Sequence, residues 1–363
     1  MIVVAKIGTS SITDDHGEVD HHAIEKLCAE VAGLRGMGHR VVVVTSGAIA
    51  AGQPALGLSG ARPSDMATLQ AISAVGQSRL MRVYDDTLAG HGLVGGQVLL
   101  APLDFAHRKQ YLHARQTMAR LLELGVVPVV NENDAIADDE LRLGDNDFLA
   151  ALVAHLVDAA VLVLLTDTPG LLTGDPRLVA DASLIEEIVE VDRELERVAG
   201  RSASVHGSGG MASKLAAAKI AAWSGVRVVI ASARRPGVLA GAVAGQPVGT
   251  ALHPHDRRLP ARKLWIAFAR GSSGTVVVDE GARRALTERN TSLLPAGVVG
   301  AKGSFEPDDA VEIADPSGTV FAKGLVRHSS RRVEEWSGRR TSDLPPDLPH
   351  EVVHRDDLVV LPS

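Results

Sequence analysis

The chain has 363 residues, 45% of them hydrophobic and 22% charged, which is typical of a globular protein with two or three domains. Its formal net charge is -7, so no basic surplus points to a nucleic-acid binder. Cys28 is the only cysteine, which excludes an intrachain disulfide. The apolar stretch 148–165 is interrupted by His155 and Asp158, so we predict no membrane span and expect a cytoplasmic protein.

Short β-branched runs alternate with longer amphipathic stretches through the first 250 residues. The predicted strands are 2–5, 40–45, 96–100, 126–130, 161–165 and 227–231. Helical periodicity covers 22–37, 64–88, 108–124, 146–157 and 211–224. Because these strands are apolar on both faces and are joined by helices, they predict an α/β fold with a parallel sheet covered on both sides.

The pattern changes near Thr250. Residues 253–260 contain Pro and His without apolar periodicity, which is typical of a linker. The short strands predicted beyond this point are separated by Gly, Pro and Asp and lie at 274–279, 297–301, 310–314 and 320–326. We therefore predict a first domain at 1–255, a linker at 256–271 and a small β-rich domain at 272–350.

Polar or glycine-rich clusters follow four of the predicted strands. They lie at 8–11, 45–48, 131–134 and 166–167. In an open α/β sheet, ligands bind outside the carboxyl ends of the strands. The four clusters therefore predict one shared cleft.

The first two clusters suit an anionic ligand. Lys6 ends the first strand and can extend its ammonium over the cleft, while Gly8 lets backbone N–H groups approach an anion. Ser46 and Gly47 follow a buried strand and suit a carboxylate or phosphate. The alternatives are a surface lysine near a turn and simple helix capping by Thr45 or Ser46.

Two further segments combine carboxylates with amides. Asp134 ends the cluster 131–134, and Asn146 and Asp147 lie at the start of a predicted helix. Amide groups can bind the α-amino and α-carboxylate groups of an amino acid, and carboxylates can hold Mg²⁺ or orient a lysine. The alternative is that Asp145 only caps the helix.

The segment 208–214 opens a helix with two glycines and a lysine. It is similar to a phosphate-binding turn, in which the helix dipole and backbone amides face an anion. It is not a Walker A loop, and the chain has no protein-kinase signature set. Any phosphoryl transfer must therefore use another fold class.

In their order along the chain, these motifs resemble the amino acid kinase superfamily and, within it, the glutamate 5-kinase family. The matching segments lie at 4–10, 45–52, 74–80, 128–134, 144–147, 165–167, 174–177 and 209–214, and continue at 276–281 and 292–297. Each motif is weak alone, whereas the ordered set is specific and covers nearly the whole chain.

The resemblance implies an αβα sandwich around a mainly parallel sheet, the amino acid kinase fold. Lys6 and Lys214 match lysines that stabilise charge on the transferred phosphoryl group, and Asp147 matches the carboxylate that organises them. The matching glutamate contacts are Ser46, Asp134 and Asn146. The matching nucleotide-site residues are Lys6, Thr166, Asp167, Ser208, Gly209, Gly210, Met211, Ala212, Ser213 and Lys214.

The resemblance also implies a reaction. ATP would phosphorylate the γ-carboxylate of L-glutamate in the first step of proline biosynthesis, with Mg²⁺ bridging the ATP phosphates. Proline would be a feedback inhibitor, and we expect a homo-oligomer. No protein ligand for Mg²⁺ is identified. Two positions depart from the family pattern: Leu172 replaces a frequent aromatic residue near the nucleotide, and His113 lies where Asn is expected.

The C-terminal part resembles a PUA domain, a small β-barrel named for RNA-modifying enzymes. Residues 262–350 hold 13 Lys/Arg against 12 Asp/Glu, so a structural or regulatory role is favoured over RNA binding. Two alternatives stay open. One is a related carboxylate kinase, such as N-acetylglutamate kinase or aspartokinase, although the PUA-like end favours the glutamate 5-kinase group. The other is an RNA-binding protein with an inactive kinase-like domain.

Overall fold

The computed structural model describes residues 1–361 except 15, 59–62, 106, 137–145, 175–178, 180, 192, 202–209, 256–257, 270 and 346. The chain divides into two compact units, Met1–Arg258 and Leu259–Ser363.

The first unit is built on an eight-stranded sheet. Its strands are β1 (Ile2–Ile7), β2 (Arg40–Val44), β3 (Gly95–Leu100), β4 (Val127–Glu132), β5 (Val161–Thr166), β6 (Glu187–Ile188), β7 (Arg227–Ser232) and β8 (Gly249–Leu252). Their order is β3-β4-β2-β1-β5-β7-β8-β6, and every pairing is parallel except β7 with β8. The predicted mainly parallel sheet is confirmed.

Helices cover both faces of this sheet. They are α1 (Thr9–Ile12), α2 (His21–Gly36), α3 (Ala48–Gly52), α4 (Met66–Gly90), α5 (Arg108–Glu123), α6 (Asn146–Leu156), α7 (Arg193–Arg201), α8 (Met211–Trp223) and α9 (Val238–Val243). Helix α2 contacts α4 and α9, and α6 contacts α5 and α8. The predicted layers, helices on both sides of a sheet, are therefore confirmed.

The two faces of the central strand β1 have different surroundings. Val3, Ala5 and Ile7 pack in the apolar core that also contains the buried face of α2. Lys6 lies between two of these residues, so its side chain leaves the opposite face of the sheet. Strand β1 also contacts α6. Strand alternation thus separates the Lys6 ammonium from the apolar core.

Two glycines allow helices α3 and α4 to cross at backbone contact. A Cβ atom added to Gly52 would lie 2.0 Å from the carbonyl oxygen of Ile72, and one added to Gly76 would lie 1.7 Å from that of Ala48. No side chain fits at either position. Because α3 begins two residues after Ser46, this crossing determines where Ser46 lies.

Substitution of Gly76 by Ala is expected to lower the free energy of unfolding by about 1–3 kcal/mol, because the new methyl group must displace the backbone of α3. Urea denaturation measures the change. Gly90→Ala is the matched control in the same helix, since a Cβ there meets no atom within 4 Å. Equal stability of the two variants would contradict the interpretation.

The second unit has a five-stranded sheet with the order β10-β9-β11-β12-β13. Its strands are β9 (Gly274–Val278), β10 (Val298–Gly303), β11 (Ala310–Ala314), β12 (Val320–Val326) and β13 (Val353–Val360), and its helices are α10 (Ala261–Leu264), α11 (Glu280–Arg289) and α12 (Ser330–Trp336). The separate β-rich unit is confirmed.

Two features of this part differ from the sequence-based picture. The predicted linker 256–271 contains α10 and a turn of π-helix, Trp265–Ala269, because Leu264 and Ile266 are buried. Strand β13 lies beyond residue 350; its charged middle, 354–357, hides the alternation of a strand.

In the described part of the chain, no helix is long and apolar enough to cross a membrane.

Candidate active site

The parallel register brings several strand ends to one edge of the large sheet. Lys6 of β1 lies beside Val44 of β2 and Leu164 of β5, and Val43 lies beside Val129 of β4. The clusters that follow these strands therefore leave the sheet at the same edge.

A buried carboxylate joins two lysines that are distant in sequence. Lys6 Nζ lies 2.6 Å from Asp147 Oδ1, and Lys214 Nζ lies 3.2 Å from Asp147 Oδ2. Ser213 donates a hydrogen bond of 3.0 Å to the same Oδ2 atom. Asp147 is fully buried and both lysines are nearly so. Helices α6 and α8 pack together and thereby bring Asp147 to Lys214.

The electrostatics of this cluster keep Asp147 ionised. Burial alone raises the pKa of Asp147, but the ammonium groups of Lys6 and Lys214 outweigh burial and hold that pKa below its usual range. The cluster places two ammonium groups beside one carboxylate. Such a group can stabilise negative charge on a phosphoryl group.

The larger of two cavities at this edge has a volume of about 660 Å³. Ser46, Asp134 and Asn146, the three predicted glutamate contacts, all line it. Ser46 Oγ donates to the carbonyl oxygen of Ile7 at 3.3 Å, and Asp134 Oδ2 accepts from Ser73 Oγ at 2.7 Å. The three sequence-distant residues thus share one cavity.

The amide oxygen of Asn146 is buried and has no hydrogen-bond partner within the described residues. Buried polar groups are nearly always hydrogen-bonded, and an unpaired one calls for a ligand or water. An ammonium or amide donor on a bound ligand would satisfy this oxygen. The carboxylate of Asp134 on the same cavity wall suits a cationic group.

The smaller cavity has a volume of about 290 Å³ and is lined in part by Thr166 and Asp167. Thr166 Oγ1 donates to Asp167 Oδ1 at 3.0 Å. Asp167 also lines the larger cavity, so the two cavities adjoin.

The predicted phosphate-binding turn begins helix α8. Gly210 is the N-cap residue, and no side chain of the described residues caps this end of the helix. Met211 is buried and Ala212 is exposed. Ser213 Oγ lies 2.9 Å from the carbonyl oxygen of Gly210. Ser208 and Gly209 lie outside the described residues. The role of this turn in nucleotide binding stays a prediction.

Two polar residues on the buried side of α4 are not among the site residues predicted from the sequence. Ser73 bonds Asp134, and Gln77 donates to the carbonyl oxygen of Glu132 at 3.2 Å and accepts from Asn131 Nδ2 at 3.2 Å. The signal that could have found them is two polar residues spaced i, i+4 on an otherwise apolar helix face.

The sequence matches two known protein-family models. The amino acid kinase family model matches residues 1–232, which is more than half of the chain. The chain belongs to the amino acid kinase family. A PUA domain model matches residues 274–345.

Curated members of this family are similar to the chain over nearly its whole length. "Glutamate 5-kinase" of Pelobacter propionicus is 43% identical over 363 residues, covering 99% of this chain and 97% of the relative. The proteins of the same name from Caldanaerobacter subterraneus and Citrifermentans bemidjiense are 42% and 44% identical, each over 99% of this chain and 98% and 97% of the relative. The resemblance to the glutamate 5-kinase family is confirmed.

Among solved structures, an isopentenyl phosphate kinase of T. acidophilum in a product complex is similar to the chain. It has a TM-score of 0.46 and 19% identity, covering 70% of this chain and all of that one.

Replacement of Asp147 by Asn in this amino acid kinase is expected to lower the free energy of unfolding at pH 7 by about 3–5 kcal/mol, because two buried ammonium groups lose the carboxylate that lies between them. The pKa of Asp147 is lowered in the folded state. Its stabilising contribution is therefore complete above its unfolded pKa, about 3.9, and is lost as the pH falls through the folded pKa.

Urea denaturation of wild type and of Asp147→Asn at pH 7 and at pH 3–4 measures this effect. The difference between their free energies of unfolding should be smaller at the lower pH. Asp158→Asn is the matched control, since Asp158 forms an exposed ion pair with Arg115 at 3.0 Å. That surface pair should contribute about 1 kcal/mol or less. A stability loss for Asp147→Asn no larger than that of the control would refute the expectation.

Proposed function

We propose that this chain uses ATP to phosphorylate the γ-carboxylate of L-glutamate, and that the product, L-glutamyl 5-phosphate, enters proline biosynthesis. The observation that carries the proposal is the buried group of Lys6, Asp147 and Lys214 at the sheet edge that also holds the cavity. The near-full-length similarity to proteins named glutamate 5-kinase supports the choice of substrate.

The reaction needs no general base in the protein. The side-chain carboxylate of glutamate has a pKa near 4.3 and is an ionised nucleophile at neutral pH. One of its oxygens forms a bond to the γ-phosphorus of ATP while the bond from that phosphorus to the bridging oxygen of ADP breaks. Phosphoryl transfer of this kind depends on in-line positioning and on charge stabilisation.

In this proposal, Lys6 and Lys214 bind oxygens of the transferred phosphoryl group. Asp147 does not contact the substrate; it holds both lysines at 2.6 and 3.2 Å and so orients their ammonium groups. Because these groups are already oriented and largely removed from water, they stabilise charge without reorganisation during the reaction.

The amino-acid end of glutamate is proposed to lie against Ser46, Asp134 and Asn146. The α-ammonium group would bind the Asp134 carboxylate and donate to the buried Asn146 oxygen. The nucleotide is proposed to contact Lys6, Thr166 and Asp167 together with the turn 208–214.

Mg²⁺ is proposed to enter as part of the MgATP substrate, bridging ATP phosphates and neutralising their charge. Within the described residues, no group of three or more His, Cys, Asp or Glu side chains could hold a metal ion. Asp147 is already occupied by two lysines and Ser213.

A coupled assay that measures ADP release tests the proposed function. The purified chain is given MgATP with L-glutamate, N-acetylglutamate or L-aspartate in parallel, and the acyl phosphate is trapped with hydroxylamine. ADP and hydroxamate should form with glutamate only. Preference for either other substrate would move the chain to a neighbouring carboxylate kinase, and no turnover with any of them would defeat the proposal.

Catalysis is proposed to reside in residues 1–255, joined through 256–271 to a PUA-like domain at 272–350. His255 still belongs to the first compact unit, since its ring stacks on Trp223 at 4.8 Å between centroids. A fragment Met1–Arg258 should fold and retain glutamate-dependent turnover, because the proposed site residues lie within it. Its thermal melt and ADP release provide the measurement. A folded fragment without activity would show that the second unit shapes the site.

Feedback inhibition by proline and assembly into a homo-oligomer are proposed from the family resemblance. The outermost strand β3 supports assembly into a homo-oligomer. Val94 and Leu99 are exposed beside and on this strand, and an exposed outer strand with apolar side chains favours association. The cytoplasmic location and the absence of an RNA partner stay predictions from the sequence.

A further inference from the structure

Arg234 lies where the two cavities adjoin. The cavities share Ser10, Thr13, Asp167 and Arg234 as lining residues. Arg234 follows strand β7, and β7 pairs with β5, the strand that ends at Thr166. None of the sequence motifs described above includes this arginine.

The charges on the wall of the larger cavity make this position unusual. Three carboxylates line that cavity, those of Asp14, Asp134 and Asp167, and Arg234 is the one cationic side chain among its described lining residues. Both proposed substrates are anions. A carboxylate-rich wall repels phosphate oxygens unless a cation lies beside them.

The Arg234 guanidinium is available to a ligand. Within the described part of the chain, it has no hydrogen bond and no carboxylate partner, and the residue is exposed. A guanidinium presents a planar set of donors that matches two phosphate oxygens at once.

The turn that carries Arg234 is held in place by helix α2. The Lys26 ammonium bonds the carbonyl oxygen of Ala233 and, at 2.9 Å, that of Arg235, one residue on each side of Arg234. Glu30 accepts from the backbone N–H of Leu239 at 2.8 Å. These bonds fix the backbone that carries Arg234, so its side chain starts from a fixed point beside the two cavities.

We propose that Arg234 binds phosphate oxygens of the nucleotide during the reaction proposed above, on which this inference rests. Its place on the β5–β7 side of the sheet favours the nucleotide over glutamate. The proposed glutamate contacts Ser46 and Asp134 follow β2 and β4, on the other side of β1.

Arg234→Gln tests the assignment, with Arg235→Gln as the matched control. Arg235 is an exposed arginine on the same turn that lines neither cavity, and substitution of its side chain preserves the carbonyl that Lys26 binds. Calorimetric titration with Mg²⁺ and the ATP analogue AMP-PNP, without glutamate, measures nucleotide affinity. Steady-state kinetics then give KM for ATP and for glutamate separately.

Loss of a charge-assisted bond to phosphate should raise Kd for AMP-PNP and KM for ATP by about 10- to 100-fold. KM for glutamate should stay close to that of wild type, and Arg234→Lys should lie between Arg234→Gln and wild type because it keeps the charge but loses the planar donors. Arg235→Gln should bind AMP-PNP with the same affinity as wild type.

The outcomes separate this inference from the proposed function. Wild type that binds AMP-PNP but does not phosphorylate glutamate would defeat the proposed function, while the affinity of Arg234→Gln still decides the role of Arg234. If Arg234→Gln and Arg234→Lys bind AMP-PNP as tightly as Arg235→Gln does, the inference is wrong. Wild type that binds no nucleotide overturns both. Thermal melts of the three variants, expected to match wild type, show that affinity and not folding has changed.

Discussion

Lys214→Ala is expected to lower kcat about 10²–10³-fold and to change KM for glutamate little. The Lys214 ammonium is buried, lies 3.2 Å from Asp147 and is proposed to meet charge that develops on the phosphoryl group. Removal of one preorganised contact of this kind raises the barrier by about 3–4 kcal/mol. Lys6→Ala should show a loss of the same order, because Lys6 binds the other oxygen of Asp147.

Steady-state kinetics with saturating ATP and varied glutamate measure both constants. Lys219→Ala is the matched control in the same helix, since Lys219 pairs with Glu196 at 2.8 Å on the surface of the unit. That variant should retain wild-type turnover. A near-normal kcat for either Lys214→Ala or Lys6→Ala would remove that lysine from the catalytic assignment.

N-acetylglutamate is expected to be rejected by a factor of about 10⁴–10⁵ in kcat/KM relative to glutamate. Acetylation removes the α-ammonium group, and the Asp134 carboxylate would then lack its proposed partner in a largely buried position. A site built around a buried polar partner discriminates by this factor when the partner is missing.

Separate ADP-release assays with glutamate and with N-acetylglutamate give the ratio of the two kcat/KM values, and Asp134→Asn extends the test. With a neutral amide at position 134, kcat/KM for glutamate should fall steeply. The ratio of kcat/KM for glutamate to that for N-acetylglutamate should therefore decrease. The position assignment is contradicted if Asp134→Asn discriminates as strongly as wild type, and the substrate assignment is contradicted if wild type phosphorylates N-acetylglutamate efficiently.

Much of the fold could be predicted from local sequence patterns. The strands β1, β2, β5 and β7 contain uninterrupted apolar runs of four or five residues, and amphipathic periodicity marks the helices between them. These signals repeat over short windows, so each element is visible without its neighbours. Elements without such a signal were missed, among them α9 and the charged strand β13.

Part of the candidate site was also visible in the sequence. Lys6, Ser46 and Asp134 were selected because polar residues directly follow apolar strands, and the ends of parallel strands meet at one edge. Asn146 and Asp147 were selected as a carboxylate–amide pair that opens a helix. Local composition therefore determined which residue types were available for chemistry, and the ordered motifs determined the family.

Only the tertiary structure decided which of these residues meet. Residues 6, 147 and 214 come together because α6 packs against both β1 and α8, and the approach of α3 to α4 depends on the pairing of Gly52 with Gly76. Arg234 gained a role from the cavities beside it, to which segments from several parts of the chain contribute. Such contacts join residues far apart in sequence, and neither periodicity nor composition encodes the partner of a given side chain, because tertiary packing selects that partner.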